Sequence, residues 1–216
     1  MELALLRIAT AAKFLVVLVP SVVLHEVAHG VVALRYGDDT AKRAGRLTLN
    51  PIPHIDAFGS VILPAILAMV GAPPFGYAKP VPVNQSRLRD PRNHGLLVSL
   101  AGPATNIVLA VLVAMVLRSL PGLVEGGLRL SPDSLLLEML LLFGVLNVVL
   151  AAFNLLPLPP LDGSEVVARF LPNRWLPAWF KLRRWSMPLL FLVIFLLPGA
   201  LSRVFDAALR VWLLLL

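Results

Sequence analysis

The sequence predicts an all-α polytopic membrane protein with about four to six transmembrane helices. Of its 216 residues, 58% are hydrophobic and 14% are charged, whereas soluble domains have roughly 45–50% and about 25%. The apolar residues are grouped in long blocks, several of which approach the ~20 residues needed to cross a bilayer. No segment is polar enough to form a separate soluble domain, so residues 1–216 are predicted to form a single membrane-embedded domain.

Four apolar blocks are predicted to span the membrane, namely 11–34, 96–117, 135–156 and a part of 187–216. Pro20 predicts a kink in the first block, and Pro198-Gly199 allows the last block to be either one helix or a hairpin. The amino-terminal apolar run favours a retained helix over a signal peptide, because it is poor in positive charge and no small-residue cleavage site follows it.

A fifth apolar block, 58–70, is shorter and contains Pro64. At this length both a re-entrant helix and a full crossing are open, and the two alternatives place the amino terminus on opposite sides of the membrane. Segment 76–84, GYAKPVPVN, combines small residues, Pro and Val, so it is predicted to be extended. It is interpreted either as a strand that pairs with an unwound substrate or as a plain cytosolic loop.

The basic residues lie in short loops between the apolar blocks. Segment 76–94 carries four basic residues and one acidic residue, and segment 163–187 carries five basic residues and one acidic residue. Segment 119–134 carries one basic residue and two acidic residues. The positive-inside rule places the first two segments in the cytosol and the third outside. Membrane topology therefore explains the net charge of +7, and a nucleic-acid partner is not expected.

The sequence His25-Glu26-Val27-Ala28-His29 lies within the first apolar block. Positions i and i+4 share one face of a helix, so both imidazoles can reach one metal ion, while Glu26 is placed to take a proton from a metal-bound water. The alternative is a histidine pair that bonds to neighbouring helices. Three ionisable groups together in an apolar helix favour a functional site.

Two histidines leave a catalytic zinc site incomplete, since three protein ligands are usual. The chain has no cysteine, so the candidates for a third ligand are His54, Asp56, His94, Asp162 and Glu165. Asp162 is set apart by the sequence before it, NLLPLPPLDG, whose prolines unwind the chain near the cytosolic membrane surface. From composition alone, Asp162 is either a metal ligand or the cap of the following helix.

These motifs together resemble the site-2 protease family of intramembrane zinc metalloproteases, in its compact bacterial and archaeal branch without a PDZ domain. The resemblance covers about residues 20–170 and leaves 187–216 as a carboxy-terminal helix or hairpin. It rests on the HEVAH motif at 25–29, on NLLPLPPLDG at 154–163 and on the segments GRLTLNP, HID, GYAKPVPVN and SLAGPATN between them.

The resemblance implies His25, His29 and Asp162 as ligands of one Zn²⁺ per chain and Glu26 as the general base. It also implies that Asn154 donates to the developing oxyanion. The expected function is hydrolysis of peptide bonds in or near the transmembrane segments of membrane protein or peptide substrates. The expected location is the prokaryotic cell membrane, with several crossings and an active site toward the cytosolic side.

Other features are assigned structural roles. Asn106 and Asn147 are interpreted as interhelical hydrogen-bonding residues. The run Ala101-Gly102-Pro103-Ala104 is interpreted as small residues that let the third block pack against the histidine helix. His54 and Asp56 either order a loop or bind a second metal. A transporter or metal sensor that uses the same ligands is the alternative function, although few further polar residues are available to line a path through the membrane.

Overall fold

The computed structural model describes residues 2–62, 66, 78–120 and 134–216. It begins with α1 (Glu2–Arg35), which contains Pro20 without interruption, and with the short α2 (Thr40–Arg43). The long helices α3 (Pro91–Ser119) and α4 (Leu135–Asn154) follow. The remaining helices are α5 (Gly163–Phe170), α6 (Leu176–Leu182), α7 (Ser186–Leu196) and α8 (Pro198–Leu213). No strand occurs among the described residues, and the predicted all-α class is confirmed.

Three helical segments, Ala9–Arg35, Pro91–Ser119 and Leu135–Asn154, are long and apolar enough to cross a membrane. They correspond to the first three predicted spans. The fourth prediction falls on a pair of helical stretches, Asn173–Leu196 and Pro198–Leu213, which meet at an angle of 85°. The bend occurs at Pro198, where the sequence allows a hairpin, because proline cannot continue the hydrogen bonding of the preceding helix.

Helices α1, α3 and α4 form a bundle that contains the candidate site. Apolar side chains that point away from it are left exposed, as with Val16 at 64% and Met115 at 63%, which is the expected pattern where lipid replaces water. Small residues allow close packing inside: a Cβ on Gly144 of α4 would lie 2.4 Å from Cζ2 of Trp212 on α8. Trp212 also donates from Nε1 to the Ala110 carbonyl of α3 at 2.8 Å, which anchors α8 to the bundle.

Helices α1 and α3 run antiparallel. His25 contacts Asn106, whereas His29, one turn further along α1, contacts the earlier residue Val98. The chain therefore leaves α1 and enters α3 on the same side of the bundle. The choice for 58–70 between a re-entrant helix and a full crossing falls largely outside the described residues and stays a prediction.

The parts of segment 58–70 at 63–65 and 67–70 lie outside the described residues, as do 71–77 and the predicted outer loop at 121–133. Within the described part, Ala57–Ile62 is a π-helix. Residues 78–84 contain neither helix nor strand, and Asn84 has extended backbone angles; an extended conformation over the whole of 76–84 stays a prediction. At the opposite end of the bundle, Lys13 of α1 and Glu138 of α4 form an ion pair at 2.6 Å.

Candidate metal centre

His25 and His29 lie one turn apart on the face of α1 that points into the bundle. They are only 6% and 8% exposed, and their Nε2 atoms are 3.0 Å apart. The rings meet edge to face, with centroids separated by 4.6 Å. The i, i+4 spacing therefore brings both imidazoles to one point, as predicted.

Asp162 reaches this point from the other end of the sequence. Its Oδ2 atom lies 3.2 Å from Nε2 of His25 and 3.4 Å from Nε2 of His29. Asp162 is the residue that precedes α5, but its side chain makes no capping hydrogen bond. Among the described residues, the buried Oδ2 atom has no hydrogen-bond partner of good geometry. The capping alternative is therefore wrong, and the carboxylate joins the histidines.

The spacing of the three atoms suits a tetrahedral metal ion. Zinc bonds to nitrogen and oxygen are about 2.0–2.2 Å long, so neighbouring ligand atoms in a tetrahedral site are separated by roughly 3.3 Å. The three observed separations of 3.0, 3.2 and 3.4 Å all lie near that value. His25, His29 and Asp162 thus form a group able to hold one zinc ion, with a fourth position left for water or substrate.

The Nδ1 atoms determine which imidazole nitrogen is available to a metal. Nδ1 of His29 lies 2.7 Å from the Val98 carbonyl oxygen, and Nδ1 of His25 lies 2.6 Å from Oδ1 of Asn106. Both oxygens only accept hydrogen bonds, so both Nδ1 atoms carry the proton. In the neutral rings the two Nε2 atoms then face each other with bare lone pairs, an arrangement that a cation between them stabilises.

Gly102 on α3 leaves the space beside the imidazoles. A Cβ at this position would lie 2.4 Å from Nε2 of His29 and 2.5 Å from Nε2 of His25. The predicted close approach of α3 to the histidine helix is confirmed, and it occurs at the proposed ligand atoms themselves. Small size at 102 is therefore needed by the site as well as by helix packing.

The proline-rich turn after α4 delivers Asp162. Helix α4 ends at Asn154, and the amides of Leu158 and Leu161 donate to the carbonyls of Leu156 and Leu158 in a tight turn. A Cβ on Gly163 would lie 2.3 Å from the Leu155 carbonyl oxygen, so the turn requires glycine there. The sequence NLLPLPPLDG thus folds back on the end of α4 and directs the carboxylate into the bundle.

Glu26 lies beside the metal group in a cavity of about 540 Å³ that is also lined by His25, His29 and Asp162. Its Oε2 atom accepts a hydrogen bond from the Val81 amide at 2.7 Å. Val81 belongs to the extended segment 78–84, and its flanking residues Pro80 and Pro82 have no amide hydrogen to donate. The extended segment therefore forms one wall of the cavity and orients the Glu26 carboxylate.

Asn154 lines the same cavity. Its Nδ2 atom donates to the Leu150 carbonyl of its own helix at 2.9 Å, which uses one of its two donors. The amide is close enough to the cavity for the expected contact with an oxyanion, but the role remains a prediction.

The other candidate ligands are not brought to the metal group. His54 is 2% exposed and its Nε2 lies 3.0 Å from the Thr48 carbonyl oxygen, while Asp56 accepts from the amides of Phe58 and Gly59. These contacts order the loop. Glu165 accepts from Gln85 and from Arg183 at the mouth of the cavity. His94 accepts from the Asp90 amide.

An apolar helical bundle that encloses two histidines, a distant carboxylate and an adjacent glutamate defines the class of membrane-embedded zinc metalloproteases. The chain belongs to peptidase family M50, whose sequence profile matches residues 13–197. It is accordingly a zinc metalloprotease of the intramembrane type, and the transporter or sensor alternative is not favoured.

Several curated proteins are similar to most of the chain, and each is named as a candidate zinc metalloprotease. YwhC of Bacillus subtilis is 39% identical over 85% of this chain and 80% of its own length. Rip2 of Mycolicibacterium smegmatis is 31% identical over 86% of this chain and 66% of its own length. MJ0611 of Methanocaldococcus jannaschii is 30% identical over 71% of this chain and 67% of its own length. No solved structure matches the chain at a significant level.

Proposed function

We propose that the protein hydrolyses peptide bonds in or next to the transmembrane segments of membrane proteins, with His25, His29 and Asp162 holding one zinc ion and Glu26 acting as general base. One observation carries the proposal: the Asp162 carboxylate, from the far end of the chain, meets both Nε2 atoms at 3.2 and 3.4 Å inside the bundle. Nothing in the capping of α5 requires that placement.

A zinc ion held by these ligands would polarise the scissile carbonyl and lower the pKa of a water molecule toward about 7. Glu26 then has two tasks, which are to remove a proton from the attacking water and to return it to the leaving amine. The hydrogen bond from Val81 orients the Glu26 carboxylate before a substrate enters. Asn154, on the same cavity, is proposed to donate to the oxyanion as the carbonyl becomes tetrahedral.

The substrate must reach the cavity in an unwound form, because the peptide bonds of an intact helix are hydrogen-bonded and sterically shielded. Extended residues Pro80, Val81 and Val83 line the cavity. We expect an unwound segment of the substrate to lie along them. The Val81 amide is already bonded to Glu26, so it is not free to pair with the substrate.

The site is proposed to open toward the cytosol of a prokaryotic cell. Asp162 lies between the end of α4 and a segment, 163–187, that carries five basic residues and one acidic residue. Such segments stay on the cytosolic side. Trp175 and Trp185 in that segment are 55% and 67% exposed, which suits tryptophans at the membrane–water interface.

The test uses the full chain in liposomes with a panel of model transmembrane substrates. Wild type, Glu26→Gln and chelator-treated wild type are compared for cleavage and for zinc content. We expect wild type to cleave, Glu26→Gln to keep one zinc per chain without cleaving, and the chelated protein to lose activity until zinc is restored. Cleavage that survives Glu26→Gln would exclude the mechanism.

The metal ligands are tested separately. Asp162→Ala is expected to weaken zinc binding, and full stoichiometry with unchanged affinity in this variant would refute Asp162 as a ligand. Glu165→Ala is the matched control, since Glu165 is an acidic side chain at the mouth of the same cavity but does not contact the histidines. Its zinc affinity should equal that of wild type.

A further inference from the structure

Three polar side chains are completely buried at the point where α1, α3 and α4 meet. They are Ser21, Asn106 and Asn147, and the exposure of each is 0%. Buried amides in an apolar bundle are costly unless each donor and acceptor is satisfied. These three residues, here called the polar triad, satisfy one another in a fixed order that ends at His25.

The far end of the triad is anchored on backbone carbonyls. Asn147 donates from Nδ2 to the Phe143 carbonyl at 2.8 Å and to Oγ of Ser21 at 2.9 Å. Ser21 in turn donates to the Val17 carbonyl at 2.7 Å. Because a carbonyl oxygen only accepts, the Asn147 amide has one allowed orientation, in which Oδ1 points toward Asn106.

That orientation is passed on to His25. Asn106 donates from Nδ2 to Oδ1 of Asn147 at 2.7 Å, so its own Oδ1 must be the atom that lies 2.6 Å from Nδ1 of His25. If the Asn106 amide were flipped, its Oδ1 atom would face Oδ1 of Asn147, and two acceptors would oppose each other. Only an imidazole with its proton on Nδ1 completes the chain, and that tautomer leaves Nε2 free.

We infer that Ser21, Asn147 and Asn106 are positioning residues that fix the tautomer and ring orientation of His25 before zinc arrives. The inference rests on the proposed role of His25 as a zinc ligand. It also explains a difference between the two histidines: Nδ1 of His29 meets the Val98 backbone carbonyl, whereas Nδ1 of His25 meets a side-chain oxygen, that of Asn106. In the triad, Asn106 supplies this acceptor, and the hydrogen bonds of Asn147 on α4 fix the orientation of the Asn106 amide.

The decisive variant is Asn147→Leu, because Asn147 does not touch His25. In this variant the Asn106 amide keeps only its long contact from Nδ2 to the Ser21 carbonyl at 3.5 Å, so it can present either end to the ring. We expect the metal-free protein to show a mixture of His25 tautomers in ¹⁵N spectra of histidine-labelled protein, and zinc affinity to fall about 10-fold, the lower range for lost hydrogen-bond partners of metal ligands. Asn106→Leu should lower zinc affinity by roughly 10–100-fold.

Asn106→Asp separates positioning from packing. Its carboxylate accepts from Nδ1 of His25 but sets its second oxygen against Oδ1 of Asn147, so the single tautomer should be retained while the free energy of unfolding falls. Thr105→Val is the matched control on the same helix, since the Thr105 hydroxyl donates to Ala101 of its own helix. It should change neither readout.

One tautomer and wild-type zinc affinity in folded Asn147→Leu would overturn the inference. If that variant does not fold, Asn147→Ala removes the same amide without adding volume and is subject to the same expectation. Failure of the underlying proposal looks different, because His25→Gln would then keep wild-type zinc affinity whatever the triad variants do.

Discussion

Replacing Gly102 by alanine should weaken zinc binding strongly while leaving the fold in place. The added Cβ would lie 2.4 Å from Nε2 of His29 and 2.5 Å from Nε2 of His25. Comfortable contact needs about 3.5 Å, so the rings must retreat by roughly 1 Å. Zinc–nitrogen bonds tolerate deviations of only about 0.2 Å, and at least one bond must therefore be lost.

The expected magnitudes follow from that displacement. Zinc binding at protein sites is worth about 10–16 kcal/mol, so losing one ligand's share of roughly 3 kcal/mol lowers affinity by about 100-fold or more. The metal-free protein should change little in stability. Overpacking costs about 1–3 kcal/mol, and alanine is about 1 kcal/mol better than glycine within a helix.

The assay measures zinc affinity by competition with a chromophoric chelator, and the free energy of unfolding of the metal-free protein in mixed detergent. Gly144→Ala is the matched control, because its Cβ would meet Cζ2 of Trp212 at the same distance of 2.4 Å, away from the metal group. That variant should show a similarly small change in stability and keep its zinc affinity. Wild-type zinc affinity in Gly102→Ala would refute the description of the site.

Three further outcomes are expected. Trp212→Ala should lower the free energy of unfolding by about 3–5 kcal/mol in denaturant titrations, because Trp212 fills the space at Gly144; a loss under 1 kcal/mol would contradict the packing. Burial raises the pKa of Asp38, but hydrogen bonds from Thr40 and Asn84 outweigh it and hold the pKa below its usual value. The carboxylate therefore stabilises the fold fully above pH ~3.9 and less as the pH falls through the native pKa. Asp38→Asn should lower the melting temperature at pH 7, and the difference in melting temperature from wild type should shrink below pH ~4. A difference that stays constant with pH would refute this. Arg92 donates to the carbonyls that end α5, so Arg92→Lys should speed amide exchange in 163–171, and unchanged exchange would exclude that clamp.

Most of the candidate site could be predicted from short sequence patterns. The HEVAH spacing required both imidazoles to share a face, and the prolines before Asp162 required the chain to unwind there. Those features depend on residues close together in the sequence, which is why they can be read from it. The third-ligand assignment needed the family resemblance, since the capping alternative for Asp162 was equally compatible with its neighbours.

Contacts between helices were not predictable in the same way. Asn106 was assigned to interhelical bonding, but its contact with His25 depends on the register between α1 and α3, which neither helix encodes alone. The same holds for the Val81 amide on Glu26. The last helices were predicted less sharply, because Pro198 is compatible with a kink, a hairpin or a bend.

The separation of the three proposed ligands along the chain has a consequence for how the enzyme is made. His25 and His29 enter the membrane early in synthesis, whereas Asp162 emerges only after α3 and α4 have been produced. Two imidazoles without the carboxylate hold zinc weakly, so a growing chain carries an incomplete and inactive centre. With that ligand set, hydrolytic competence is expected to appear late, once the bundle has assembled.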